Sequence, residues 1–450
     1  MKRNTALLVA ATAVTAALAL TGCTGGGSGT SSSGGSKNLT AVLWDPTQLP
    51  VYEKCAAEFK DKTGISVKYT QVSWNNYWQK LTTELSAGTA PDIFTDHVNY
   101  FAQYEQTGQL ADLTPYFKKD GYKVDDSVAS NKLWNVDGKQ YAVSQDQDVE
   151  GLLYNTADIP SDTSAASLSQ LTWNPTDGGT FQKMIEHLTV DDNGVRGDQP
   201  GFDKNHVKTY GFSVEGADAT GQTSWSPFIL STGWYYTNKN PFGTKANYDD
   251  PVVAQTWDWL QKMFADGYIL PVSRVSSLGE QPVLDQNLAA IMMQGSWEAA
   301  QRVPSYDKAQ KFAWAQLPSG PVGHPVSITN SIGPSVTASS KNKANAAKYV
   351  EFVTSSDCAN IVAKSGVEIP VDPTAAKTAL ATLQSQGVDT THWQQMFDNP
   401  SWLKLFPITK NASQITAIGN ATFANTLATG QGNPKTVLKQ FNDKVNALIK

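Results

Sequence analysis

Residues 39–96 alternate strand-like and helix-like stretches, five in all, and few architectures accept that pattern. LTAVLW (39–44) is apolar and β-prone. VYEKCAAEFKDKTG (51–64) sets Tyr52, Cys55, Ala56 and Phe59 on one helical face and stops at Gly64. ISVKYTQV (65–72) alternates like a strand, NYWQKLTTELSAG (76–88) reads as a helix closed by glycine, and PDIFTD (91–96) is a short strand. That order predicts an α/β fold with a parallel sheet covered by helices. Ligands of open α/β sheets bind beyond the carboxyl ends of the strands. Those ends carry Trp44, Trp74 and the segment after Phe94, so one pattern predicts both a fold and a place for a site.

The rest of the chain continues in this mode. DPVVAQTWDWLQKMFADG (250–267) is an amphipathic helix on which Trp257 and Trp259 are packing residues. LAAIMMQGSWEAAQ (288–301) is a buried strand, a glycine turn and a helix start; 343–355 and 435–450 are helices. Asp137-Gly138 marks a turn between two extended pieces, and 174–206 is loop-rich apart from a helix near 181–188. No repeat of solenoid or propeller length is present. The roughly 410 residues after the first forty exceed a single core, which implies two or more lobes.

The first residues set the compartment. Lys2 and Arg3, an apolar run from Leu7 to Leu20 too short to span a bilayer, and small residues after it form a secretory signal peptide over 1–22. Leu20-Thr21-Gly22-Cys23 resembles the lipobox of bacterial lipoproteins, in which the cysteine is acylated and becomes the first residue. Two or three acyl chains anchor firmly where one does not. The Gly/Ser stretch up to residue 37 is a flexible tether. The expected location is therefore extracytoplasmic, anchored to the cell membrane by lipid.

Without Lys2 and Arg3 the chain has 33 basic and 41 acidic residues, and no basic patch that would suit nucleic acid. The five histidines (His97, His187, His206, His324, His392) show no metal-ligand spacing, so no metal or cofactor is expected. Cys55 and Cys358 are either bridged or two buried thiols. Thirteen tryptophans beside 16 Tyr and 16 Phe suggest sugar binding as well as core, because pyranose faces are apolar while their edges need hydrogen bonds.

Six segments in order carry a resemblance: EFKDKTGISVKY, LSAGTAPDIFTDHVNYFAQYEQTGQLADLTPYF, GKQYAVSQDQDVEGLLYNTADI, LAAIMMQGSWEAA, SITNSIGPSVTASSKNKANAAKYVEFVTS and SGVEIPV. Together they resemble the extracellular solute-binding lipoproteins of bacterial carbohydrate ABC transporters, the maltose-binding-protein-like family. The resemblance implies a two-lobed periplasmic-binding-protein-like fold with a ligand cleft and several hinge crossings. Lobe one is placed at 38–147 plus 328–370 and lobe two at 148–327 plus 371–450. It also implies the ligand-binding residues: Trp44, Asn99, Tyr100, Asp148, Trp225, Phe228 and Trp297, to which strand-end position and composition add Trp74, Asp96 and Trp234. Asp148 offers a carboxylate to sugar hydroxyls or forms a hinge salt bridge; Asp96 binds ligand or caps a helix. Asn99-Tyr100 stands where maltose-binding protein has Asp-Arg, which leaves the sugar preference open. An aromatic of that protein's late helix is missing, its place open to Trp393 or Trp402.

The function implied is capture of a saccharide and its delivery to a membrane permease by a monomeric binding protein, with no chemistry performed. Two rivals stand beside it. A surface glycoside hydrolase would need two carboxylates about the scissile bond, and Asp146 and Asp148 lie two residues apart on one strand. A binding protein for a polyamine or peptide would use the acids Asp96, Asp146 and Asp148.

Overall fold

The computed structural model describes residues 36–306 and 312–450. The signal peptide, Cys23 and nearly all of the tether lie outside the described residues. Strands β1 (Asn38–Leu43), β2 (Ser66–Gln71) and β3 (Ile93–His97) alternate with helices α1 (Leu49–Thr63) and α2 (Trp74–Ala87), and α3 (Val98–Gln106) follows directly. β1 pairs in parallel with both β2 and β3. Gly64 and Gly88 end α1 and α2 in the left-handed region, at φ 69° and 68°, where a side chain would clash with its own backbone. Ile332–Val336 returns from far down the chain to close this sheet antiparallel to β3.

A second sheet has the spatial order Phe312–Ala315, Glu150–Asn155, Ala289–Gly295, Val207–Ser213, Val190–Asp191. Its central strand Ala289–Gly295 is buried at every position, as befits an apolar run covered on both faces. The fold is thus two α/β lobes. Six of the thirteen tryptophans (Trp134, Trp173, Trp225, Trp257, Trp314, Trp393) are fully buried. Much of the tryptophan content therefore fills the cores.

Three segments link the sheets, and they meet at Asp146. The first leads through Gln145–Val149 into Glu150–Asn155; the second runs from Ser327 to Ile332; the third is the stretch about Glu368–Val371. Gln145 N–H donates to Ile332 O (3.0 Å) and Gln147 N–H to Ile369 O (2.9 Å). Asp146 Oδ1 accepts from Ile332 N–H (2.7 Å) and its carbonyl from Ser331 Oγ (2.9 Å). Cys55 on α1 is disulfide-bonded to Cys358, on the helix just before the third crossing.

Candidate functional site

The site begins where β1 and β3 end. The Tyr77 hydroxyl on α2 donates to Val42 O (3.2 Å) and lies 2.8 Å from Thr95 O, which pins the helix across both strand ends. With α2 so held, Trp74 and Trp78, one turn apart, share a face beside Trp44. The Trp44 ring is 5.1 Å from Trp74 and 5.4 Å from Trp78. Trp78 stacks flat on Tyr100 of α3, centroids 3.7 Å apart at 11°. Trp44 is half-buried and Trp74 is 45% exposed, unusual for so large an apolar ring. Trp78 was not among the expected site residues, although its spacing from Trp74 could have found it.

His97 closes this wall. Burial lowers its pKa to about 4, so the ring is neutral. Its Nδ1 accepts from Asn99 N–H (3.1 Å), capping α3, and Nε2 faces the Asn330 side-chain amide at 3.3 Å. With Nδ1 accepting, the neutral ring carries its proton on Nε2; the Asn330 atom facing it is Nδ2, and Asn330 Oδ1 is buried with no donor. His97 also meets Phe406 of the second lobe edge-on at 5.9 Å. Asp96, by contrast, faces the interior. Its oxygens accept from His97 N–H (2.9 Å) and Ser335 Oγ (3.0 Å), and it is wholly buried, so its part here is structural.

The second lobe brings Trp297, half-buried at the turn after Ala289–Gly295. Its ring folds back over Gly295, where a Cβ would stand 2.0 Å from Trp297 Cζ3. Its neighbours in the chain reach the first crossing and the start of the first lobe: Ser296 Oγ donates to Asp148 Oδ1 (2.8 Å), and Glu298 senses the charge of Asp45, just past β1. Gly295→Ala is expected to displace the indole and lower ligand affinity at least about tenfold with little change in fold; unchanged affinity on titration would remove Trp297 from the site.

The aromatic patch expected at 225–234 lies elsewhere. Trp225 is 1% exposed, donates Nε1–H to Asp218 O (2.9 Å) and stacks on Phe423. Phe228 is packed among Trp173, Phe181 and Trp259. Trp234 is buried with Nε1–H on Asn247 O (2.8 Å). These three rings are second-lobe core and offer no open face; indoles that suit a sugar suit a core equally. Trp225 backs the 218–221 turn, and Asp218 on that turn, after burial, raises the Tyr100 pKa to about 12. Of the two late tryptophans, Trp393 is buried against Trp314 and Trp402 stacks on His324.

The carboxyls at the crossings are all held above the usual carboxylate range by burial. Burial raises Asp148 to about 6 and Asp146 well above the carboxylate range, and the neighbouring charge of Asp148 raises Asp146 further. No basic side chain pairs with Asp148 among the described residues, so the hinge salt bridge is not formed here. Burial first, and then the charges of Asp148 and Asp45, push Glu368 to about 8. Its Oε2 accepts from the Tyr52 hydroxyl at 2.5 Å. Asp96 and Glu150 also reach about 8 by burial. Each is raised above its unfolded value, so its contribution to stability is full below about pH 4 and is lost as pH rises through about 6 to 8. The melting temperature of the free protein is expected to fall from pH 5 to pH 8; a rise over that range would contradict these assignments.

With this geometry in hand, residues 54–387 match the family described as bacterial extracellular solute-binding protein. The diacetylchitobiose-binding protein DasA of Streptomyces coelicolor is 41% identical over 87 residues, 19% of this chain and 20% of that protein. Among solved structures, the substrate-binding protein Lmo0181 of Listeria monocytogenes, in complex with cycloalternan, superposes with TM-score 0.72 at 18% identity, covering 91% of this chain and 98% of that one. The maltodextrin-binding domain MalE of Bdellovibrio bacteriovorus, bound to maltotriose, gives 0.67 at 16% identity over 91% and 99%. At such identities the structures establish the fold alone.

Proposed function

This chain belongs to the bacterial extracellular solute-binding proteins, and from that premise we propose that it captures a saccharide between its lobes and hands it to an ABC-type membrane permease. The observation that carries the reading is the indole wall of half-buried Trp44 and exposed Trp74, backed by the buried Trp78, with His97 beside it reaching Asn330 on the second crossing. A sugar needs both kinds of surface: flat apolar faces for its C–H side and fixed acceptors for its hydroxyls. The saccharides in the relatives' descriptions support the same class.

Lobe closure follows from the same physics. A ligand touched by both lobes stabilises the closed arrangement by contacts the open one cannot make together. Lipidation at Cys23 would keep the protein at the membrane, within tether reach of the permease. Turnover is not expected. Asp146 and Asp148 lie two residues apart on the first crossing, whereas a glycosidase sets its two carboxyls across the scissile bond.

A thermal-shift panel with oligosaccharides tests the reading, combined with chromatography of the recovered sugar. A ligand at about a hundred times its Kd adds about 2.7 kcal/mol, and the sugar should return intact. Cleaved sugar would mean a hydrolase; stabilisation by peptides alone would mean another ligand class.

A further inference from the structure

The indole wall is not one flat platform. The Trp74 plane stands at 74° to Trp44, 87° to Trp78 and 74° to His97, with ring centroids 5.1, 5.4 and 6.2 Å away. Trp78, by contrast, lies nearly parallel to Tyr100 behind it. Trp74 is thus steep to each of these three neighbours, and it is the exposed ring of the group: Trp44 is half-buried and Trp78 buried. It stands up from the wall and across it. A pyranose laid flat on Trp44 therefore meets Trp74 with its edge or end, and one sugar ring cannot stack on both indoles.

The upright ring is held in place. Trp74 is the first residue of α2, and the N–H groups of Asn76 and Tyr77 close the first turn on Ser73 O, both at 2.9 Å. The Tyr77 hydroxyl fixes that turn to Val42 and Thr95. Gln71 Nε2 donates to Trp44 O at 2.7 Å, which ties the end of β2 to the residue carrying the facing indole. Rings in contact at 5.1 Å leave no gap for a sugar between Trp44 and Trp74. His97 packs against both, and Phe406 of the second lobe packs against His97.

We propose that Trp74 is an end stop: a saccharide lying on Trp44 meets it with a chain terminus, so the protein takes its ligand by one end and not by mid-chain. This rests on the saccharide reading above and narrows it to sugars with a free terminal ring. The terminal ring covers part of the exposed indole and gains from removing that apolar surface from water. A chain continuing past this point would have to turn Trp74 out of its contacts with Trp44, Trp78 and His97. A substituent on the same terminus meets the same obstacle, whereas one on the far end does not. Specificity of this kind comes from a clash built against the wrong ligand as well as from contacts to the right one.

Calorimetry on the purified protein tests this with maltotriose and with triacetylchitotriose. Each is titrated free, with a benzylidene group on its non-reducing end, and as the nitrophenyl glycoside at its reducing end. The sugar that binds is expected to lose at least about thirtyfold in affinity with one cap and less than about threefold with the other. Trp74→Ala should weaken the free sugar by about tenfold and bring the penalty of the excluded cap to about threefold or less. Trp74→Phe, which keeps a smaller ring in the same place, should give an intermediate penalty and serves if the alanine variant fails to fold. Tolerance of both caps by the unaltered protein, or a cap penalty that the Trp74 variants leave unchanged, would overturn the end stop and leave saccharide capture standing. Binding of spermidine or peptides and of no saccharide would overturn both.

Discussion

Trp44→Ala is expected to lower saccharide affinity by about 30- to 100-fold, or ~2–3 kcal/mol, while the ligand-free protein stays folded. Trp44 is the ring around which the wall is organised: Trp74, Tyr77 and Trp78 all pack against it within 5.4 Å, and His97 lies at 6.5 Å. It is nevertheless half-buried at a strand end, outside the close-packed core. Truncation removes a flat surface and loosens the positions of Trp74 and Trp78. Trp225→Ala is the matched control. That ring is 1% exposed and stacked on Phe423, so its loss should cost about 3–5 kcal/mol of stability and leave the affinity of the folded fraction unchanged. Titration and denaturant unfolding of both variants separate the two roles. A reversed pattern would place the site at the second-lobe patch.

Replacing Cys55 and Cys358 by serine is expected to cost about 3–5 kcal/mol. The two cysteines are 303 residues apart in sequence, and closing so long a loop in the unfolded chain removes much of its entropy. In the folded protein the bridge ties α1, whose Tyr52 holds Glu368, to the helix that precedes the third crossing. Its loss should therefore lower the denaturation midpoint and also weaken ligand binding. An unchanged midpoint in urea would mean that the bridge adds nothing to stability.

The first lobe was legible because its order is local. Helical spacing, strand alternation and glycine stops placed β1, α1, β2, α2 and β3 to within a few residues, and with them Trp44 and Trp74. The place of Trp297 at a turn after a buried strand was legible for the same reason, being flagged by the glycine two positions earlier. What escaped the sequence depends on distant partners. Glu368 lies in SGVEIPV, and nothing there marks it, because the hydroxyl that orients it is 316 residues away. Asp45 gains meaning only from Glu298 on the other lobe. Trp225, Phe228 and Trp234 illustrate the converse: an aromatic cluster has the same composition whether it meets a ligand or fills a core, and Phe423, Trp173 and Asn247 decided the matter here.

A crystal structure of the protein with a bound oligosaccharide would be the most direct test of capture between the lobes. It should show a sugar ring lying flat against Trp44 or Trp297, with polar contacts from both lobes and from the crossing that carries Asp148. A sugar bound on the outer face of one lobe, with Trp44 and Trp297 packed only against protein, would contradict the account.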